Sequence, residues 1–372
     1  MIPNQLFNAY LQEKLDTRIA GGFYRTLVHA TNKIDFSSND YFGFSTLLLN
    51  TRLYDNQHAA GATGSRSITG NSLLAEDTEK IIAAFHNAEA ALIFNCGYMA
   101  NVGLFSCIAT KGDTFISDEY IHASIIDGMR LSHANRVKFK HNDLNDLEKK
   151  LQQIAGKKIV AIESIYSMDG DEAPLKAIAA LCKKYTAILI VDEAHATGVF
   201  GNKGEGLVGK YNLMQDVFAC TYTFGKAIGL HGAVVVGSHT LRHYLINNAR
   251  AFIYTTALPP QIYLQLQAAY ATLPAADRNK LYALIAYFKE LAQTLQPLNF
   301  INSNSAIQGI IIGDNFKAKA LAEILFAKGF YVRPILSPTV PVGTERIRIC
   351  LHVFNTFDEI NALMQAIKQH LI

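Results

Sequence analysis

The sequence predicts an α/β protein: a large domain with a mostly parallel sheet sandwiched by helices, then a smaller α+β domain. Three observations carry this. Between residues 72 and 236, segments of helical periodicity alternate with short apolar runs. One run, Ala187-Ile188-Leu189-Ile190-Val191, is apolar throughout, as a strand buried on both faces of a parallel sheet requires. After Pro259-Pro260 the pattern changes, with residues 261–295 largely helical and strand, helix, two strands and helix behind them. The boundaries this predicts are 1–37 for an N-terminal helix-and-strand segment, 38–260 for the large domain and 261–372 for the small one.

In chain order, residues 4–18 form a helix with Leu6, Tyr10 and Leu11 on one side, and Arg25 follows in a loop before a short strand near Lys33–Phe36. Residues 36–43 are polar and turn-prone. Gly61–Gly70 is a glycine- and hydroxyl-rich segment that reads equally as a surface loop or as a phosphate approach, since it follows no evident strand. A helix over about 72–86 leads to strand Ala90–Phe94, and Gly97-Tyr98-Met99-Ala100-Asn101 opens the next helix. A glycine turn between strand and helix presents free N–H groups at the positive end of the helix dipole, which makes it a phosphate seat. Strand Asp113–Ser117 is followed by His122 at a helix start, and strand Lys157–Glu163 runs into Ser164–Asp171. Pro174 starts a helix whose Leu175, Ile178, Ala179 and Cys182 share a face. Strands Ala187–Val191, Val217–Cys220 and Ala233–Val236 complete the large domain. In the small domain the expected elements are strand Ala306–Ile312, helix 316–328, strands near Tyr331–Arg333 and Arg346–Leu351, and helix 356–370.

Half the residues are hydrophobic and 17% charged, which suits a large core, and a net charge of +3 is too small to imply nucleic acid. The cysteines are five, with no C-x-x-C pair, and several lie in apolar runs. Reduced thiols in a cytoplasmic protein are expected. Glu13, Lys14, Asp16 and Arg18 break up the amino terminus, so no signal peptide is expected, nor any bilayer-spanning run.

The chemistry centres on Thr221-Tyr222-Thr223-Phe224-Gly225-Lys226-Ala227-Ile228-Gly229. A lysine in apolar surroundings loses hydration, which disfavours the ammonium form and leaves a nucleophilic or basic amine able to form a Schiff base. Alone, such a lysine reads first as a snorkelling surface residue. Asp192 changes the reading, because it ends the buried strand run where ligands of open α/β sheets sit, with His195 just beyond. A Schiff-base lysine with an aspartate for a pyridinium nitrogen is the minimum equipment for pyridoxal phosphate (PLP). Gly204–Lys210 matches most of a P-loop but is followed by Tyr211 in place of Ser or Thr and follows no strand. No second His or Cys at helical spacing joins Asp192 and His195, so no metal is expected. His122 and Arg348, each taken singly, also suit core or solvent-facing roles.

From about Phe36 onward the chain resembles the α-oxoamine synthase family of fold-type I PLP-dependent transferases. The matching segments are Asn39-Asp40-Tyr41-x-Gly43, Gly97-Tyr98-x-Ala100-Asn101, His122-Ala123-Ser124, Ser167-Met168-Asp169-Gly170-Asp171, Asp192-x-Ala194-His195-x-Thr197-Gly198 and Thr223-Phe224-x-Lys226. The resemblance implies a seven-stranded sheet and PLP bound covalently by Lys226. It implies that Asp192 pairs with the pyridine nitrogen, that His122 stacks on the ring, and that His195 and Ser167 contact the ring and its phenolic oxygen. Gly97, Tyr98 and Thr223 then seat the phosphate. Thr255 or Thr256 reaches the phosphate of a neighbouring subunit in a homodimer with sites at the interface. Arg348 binds the amino-acid carboxylate, while Arg25, Asn39 and Thr339 match substrate-contacting positions. Ser305–Gln308 and Pro338–Thr344 resemble the biotin-pathway branch, which condenses L-alanine with a pimeloyl thioester of CoA or a carrier protein. Within the family, glycine with acetyl-CoA and serine with palmitoyl-CoA are the rival pairs. A PLP-binding protein without turnover is the rival from another class. Ala75, Ala196 and His231 depart from the family pattern, and none of them removes a catalytic group.

Overall fold

The computed structural model describes residues 3–47 and 59–371. Helix α1 (Pro3–Ala20), β1 (Ile34–Asp35) and α2 (Phe44–Leu47) come first. Then follow α3 (Leu73–Phe85), β2 (Ala90–Phe94), α4 (Gly97–Cys107), β3 (Thr114–Asp118), α5 (Ala123–Leu131), β4 (Asn135–Phe139), α6 (Leu144–Gln153) and β5 (Lys158–Glu163). Next are α7 (Leu175–Lys184), β6 (Ile188–Asp192), α8 (Leu207–Lys210), β7 (Ala219–Thr223), β8 (Ala233–Gly237), α9 (His239–Asn248), α10 (Arg250–Ile253) and α11 (Pro260–Thr272). The chain ends with α12 (Arg278–Thr294), β9 (Ile307–Ile311), α13 (Asn315–Ala327), β10 (Phe330–Tyr331), β11 (Arg333–Ile335), β12 (Arg346–Cys350) and α14 (Phe357–Leu371).

Two compact units result. The larger holds Asn39–Ser167 and Asp171–Arg278; the smaller holds the residues up to Ser38, Met168–Gly170 and Asn279 onward. The change of pattern at Pro259-Pro260 marks the start of α11, and α11 stays in the larger unit because it packs on α3. Residues 261–278 therefore lie with the large domain, beyond the boundary expected after 260.

In the larger unit a seven-stranded sheet has the order β2-β8-β7-β6-β5-β3-β4. Only β8 runs against the others, antiparallel to both β2 and β7. The central strands β5 and β6 are buried on both faces, hence their apolar runs. The predicted face of α7 is the buried one: Leu175, Ile178, Ala179 and Cys182. Each fully buried Leu or Ile contributes about 1.5–3 kcal/mol relative to exposure. Strand β3 starts one residue later than expected, because the Asp113 carboxylate closes the preceding turn on Thr110 N–H at 2.9 Å.

The smaller unit contains a parallel pair, β1 with β10, and an antiparallel sheet of order β11-β12-β9. Helix α1 has the predicted apolar residues, yet none of its residues is buried. Among the described residues no helix is long and apolar enough to cross a membrane.

Candidate active site

The parallel strands of the larger unit deliver a row of polar side chains at their carboxyl ends. Asp118 ends β3, Glu163 ends β5 and Asp192 ends β6, with Glu163 and Asp192 in direct register. All three are buried. Asn101 Nδ2, on α4, donates to Asp192 Oδ2 at 2.7 Å, and Ala194 N–H donates to Oδ1 at 2.9 Å. The same Asn101 amide donates to Ser124 Oγ at 3.0 Å, and Ser124 Oγ lies 2.7 Å from His122 Nδ1. His122 is the N-cap of α5, and its Nδ1 accepts from Ser124 N–H at 3.2 Å. Burial pushes the His122 imidazole below its ordinary value, more than neighbouring Asp192 raises it. A neutral ring is the form suited to stacking on a heterocycle. Burial first, and Asp192 second, push the Glu163 carboxyl well above the usual range.

Lys226 sits in the connection from β7 to antiparallel β8. Phe224 N–H donates to Gly232 O at 2.9 Å and Leu230 N–H to Phe224 O at 2.8 Å, closing the loop at its base. Gly229 has φ +68° and touches α2 so closely that a Cβ would lie 2.3 Å from Ser45 N, so only glycine fits. Lys226 Nζ is 2.7 Å from His195 Nε2, and His195 Nδ1 is 2.8 Å from Tyr41 OH. Tyr41 OH also donates to Asn39 Oδ1 at 3.3 Å. Lys226, His195, Tyr41 and Asn39 thus form one chain of contacts.

The start of α4 suits a phosphate. Its N-cap, Cys96, makes no side-chain capping bond, so the first-turn N–H groups at Gly97 and Tyr98 are open to a ligand. A Cβ at Gly97 would stand 3.3 Å from Thr223 Oγ1, so glycine keeps backbone and hydroxyl close. Asn95 Nδ2 donates to Thr255 Oγ1 at 3.2 Å and to Thr256 O at 2.8 Å, which holds both threonines beside this turn. Tyr98 OH donates to the Asp127 carboxylate on α5. An amine, a buried carboxylate, a neutral imidazole and an uncapped helix start fit a phosphorylated pyridine aldehyde.

Ser167 follows a narrow neck in which Tyr166 N–H donates to Asp171 O at 3.1 Å and Ala173 N–H to Ser164 O at 3.0 Å. His141 clamps that neck, with Nδ1 2.9 Å from Asp118 Oδ1 and Nε2 2.8 Å from Asp171 Oδ2. Burial lowers the affinity of His141 for its proton, but the two carboxylates outweigh burial and raise the pKa to about 10. Because the folded value is raised, the clamp's stabilisation is complete below the unfolded pKa of about 6.5 and is lost as pH rises through about 10.

The predicted substrate residues Arg25, Thr339 and Arg348 belong to the smaller unit. All three line one cavity of about 640 Å³ there. Arg25 Nη2 donates to Thr339 Oγ1 at 3.4 Å. Arg348 lies on the middle strand of the antiparallel sheet and is 8% exposed, so the solvent-facing reading of its alternation fails. Sequence reading assigned no role to Asn101, Tyr41, Glu163 or His141. Asn101 and Tyr41 stand inside quoted motifs, and Glu163 ends an apolar strand as Asp192 does. Nothing in the sequence marks His141.

The chain matches the family model described as aminotransferase class I and II over residues 31–367. It is similar to the 8-amino-7-oxononanoate synthase of Emericella nidulans, with 40% identity over 91% of this chain and 89% of that protein. It is similar to 8-amino-7-oxononanoate synthase 2 of Bacillus subtilis, with 36% identity over 96% of each. Among solved structures, a serine palmitoyltransferase from S. paucimobilis with a bound PLP–myriocin aldimine superposes with TM-score 0.89 at 26% identity, covering 99% of this chain and 98% of that one. The 8-amino-7-oxononanoate synthase of Francisella tularensis gives TM-score 0.79 at 31% identity, covering 91% and 98%. The fold is that of the fold-type I PLP transferases. With a lysine, an aspartate and a histidine held at the carboxyl edge of its sheet and a match over nearly its whole length, the chain belongs to the aminotransferase class I and II family.

Proposed function

We propose that the protein is a PLP-dependent acyltransferase that condenses L-alanine with pimeloyl-CoA or a pimeloyl-carrier protein. The products are 8-amino-7-oxononanoate, carbon dioxide and the free thiol, as part of biotin biosynthesis. The observation that carries this reading is Lys226 Nζ at 2.7 Å from His195 in the unit where Asn101 fixes the buried Asp192 carboxylate. The names of the sequence relatives support the substrate pair.

The bound cofactor supplies an electron sink for a carbanion at the amino-acid Cα. Asp192 holds a proton on the pyridine nitrogen, and the bonds from Asn101 and Ala194 keep its carboxylate aimed. Lys226 Nζ would anchor the cofactor and, as a free amine, would take the α-proton. His195 bonds Nζ, and Tyr41 fixes the His195 ring. His122 stacks on the ring in its neutral form. Ser167 meets the phenolic oxygen. Gly97, Tyr98 and Thr223 seat the phosphate, and Thr255 or Thr256 reaches that of a second subunit. Arg348 binds the amino-acid carboxylate, with Arg25, Asn39 and Thr339 in contact with substrate. A homodimer is supported by α1, where Leu6, Phe7, Tyr10, Leu11, Leu15 and Ile19 are each at least 40% exposed. Five free cysteines support a cytoplasmic location.

Thiol release tests the substrate pair. Alanine, glycine and serine are offered at equal concentration with pimeloyl-, acetyl-, succinyl- and palmitoyl-CoA. Alanine with pimeloyl-CoA is expected to have the highest kcat/KM. One methyl group separates alanine from glycine and is worth about 1–3 kcal/mol, so measurable glycine turnover is expected too. If glycine with acetyl-CoA or serine with palmitoyl-CoA is the best pair, the biotin reading fails while the chemistry at Lys226 stands.

Arg348→Lys keeps the charge but loses the planar fork that grips a carboxylate with two bonds. The KM for alanine is expected to rise at least roughly tenfold, the effect of about 1.4 kcal/mol. An unchanged KM would place the carboxylate elsewhere.

A further inference from the structure

Arg333 is opposed directly to Arg348 across the antiparallel pair of β11 and β12. Opposed residues point to the same face, with Cβ atoms about 4.5–5.5 Å apart, and like charges so placed repel. Both arginines line the 640 Å³ cavity of the smaller unit. No ion pair of Arg333 occurs among the described residues. Three other cations of the lining have contacts of their own: Lys319 Nζ donates to Tyr24 O at 3.3 Å, Arg18 lies over the Phe23 ring at 5.4 Å, and Arg25 reaches Thr339. Glu323 is the one carboxylate among the described residues of the lining. Between the charges the wall is apolar, with Val28, Phe326, Val332, Ile335 and Leu336.

Two arginines opposed on one face of the sheet and lining one cavity can receive two anions. The amino acid brings one of them, for Arg348. An apolar wall beside the second guanidinium suits a methylene chain with a carboxylate at its far end. We infer that Arg333 binds the terminal carboxylate of the acyl chain and so selects ω-carboxyacyl thioesters over plain fatty-acyl thioesters of the same length. This rests on the condensation proposed above and adds the residue that recognises the acyl donor. Phosphates on the thiol carrier are a second source of anions, and the choice of donors separates the two.

The test is Arg333→Leu in the holoenzyme, read as kcat/KM for thiol release. The donors are pimeloyl-CoA, heptanoyl-CoA and the pimeloyl thioester of N-acetylcysteamine, which has no phosphate. The preference for pimeloyl-CoA over heptanoyl-CoA is expected to fall at least roughly a hundredfold, because a site built for a polar group discriminates strongly against analogues lacking it. The N-acetylcysteamine donor is expected to suffer the same loss as pimeloyl-CoA. The preference is a ratio within one preparation, so partial unfolding cancels from it. Arg333→Gln, which keeps length and polarity without charge, repeats the measurement if the leucine variant does not fold. An unchanged preference overturns the inference. So does an equal loss on both CoA donors that spares N-acetylcysteamine, since Arg333 then holds the carrier. A wild-type enzyme that ignores pimeloyl donors overturns the proposed function itself, and that result is read before any variant is made.

Discussion

Lys226→Ala abolishes thiol release, with turnover expected to fall at least roughly a thousandfold, within the range for loss of a positioned general base. In the proposed mechanism the amine has two tasks, anchoring the cofactor and moving the α-proton, and alanine can do neither. Its removal also strips His195 Nε2 of the contact at 2.7 Å, but the Tyr41 contact on Nδ1 remains to hold the ring. The fold is therefore expected to survive. The loop is closed at its base by backbone bonds of Phe224 and Leu230 that the side chain does not enter. Borohydride treatment of the wild type should bleach the yellow colour and leave the reduced cofactor attached to a peptide containing Lys226. The variant should bind cofactor without covalent capture. A Lys226→Ala enzyme with near-normal turnover would remove the lysine from the mechanism.

Asp192→Asn is expected to slow exchange of the alanine α-proton with deuterium by at least roughly a hundredfold, the scale of one preorganised electrostatic contact. An amide cannot hold a proton on the pyridine nitrogen as an anion does. The surroundings add a second effect. Both carboxylate oxygens accept from donors, Asn101 Nδ2 and Ala194 N–H. An asparagine presents one oxygen and one NH2, so one buried donor is left facing another at about 1–3 kcal/mol. A thermal melt reads that cost separately from exchange. Exchange at the wild-type rate would contradict the assignment, whatever the melting temperature does.

The parts of the fold that the sequence reveals are those where burial dictates residue type. β2 was read with its observed bounds because all five residues are buried. α3 was legible from Ser72, whose Oγ accepts from Ala75 N–H at 3.2 Å. β4 and α6 are not legible in the sequence, for the opposite reason. β4 is an edge strand with only Phe139 buried, and α6 buries only Leu147 and Leu151. Asp143 before Leu144 was the available signal for α6, since its carboxylate caps the helix at 2.9 and 3.0 Å. In the site, Lys226, Asp192 and His195 were legible because each breaks an apolar context at a strand end. Asn101 was not, because its role depends on α4 bringing its amide to Asp192, distant in sequence. The opposition of Arg333 and Arg348 depends on strand register, which spacing along the chain does not encode.

The order of the large sheet leaves β2 and β4 at its two rims. Unpaired backbone groups on a rim are a template on which another molecule's strand can add. β2 is screened by α3 and α9, which pack against it. β4 is packed by α6 and exposes Asn135, Arg136 and Lys138. A second copy approaching that rim would bring the same positive charges with it. The charged, exposed side chains that obscure β4 as a strand in the sequence are also of the kind that opposes such edge-to-edge pairing.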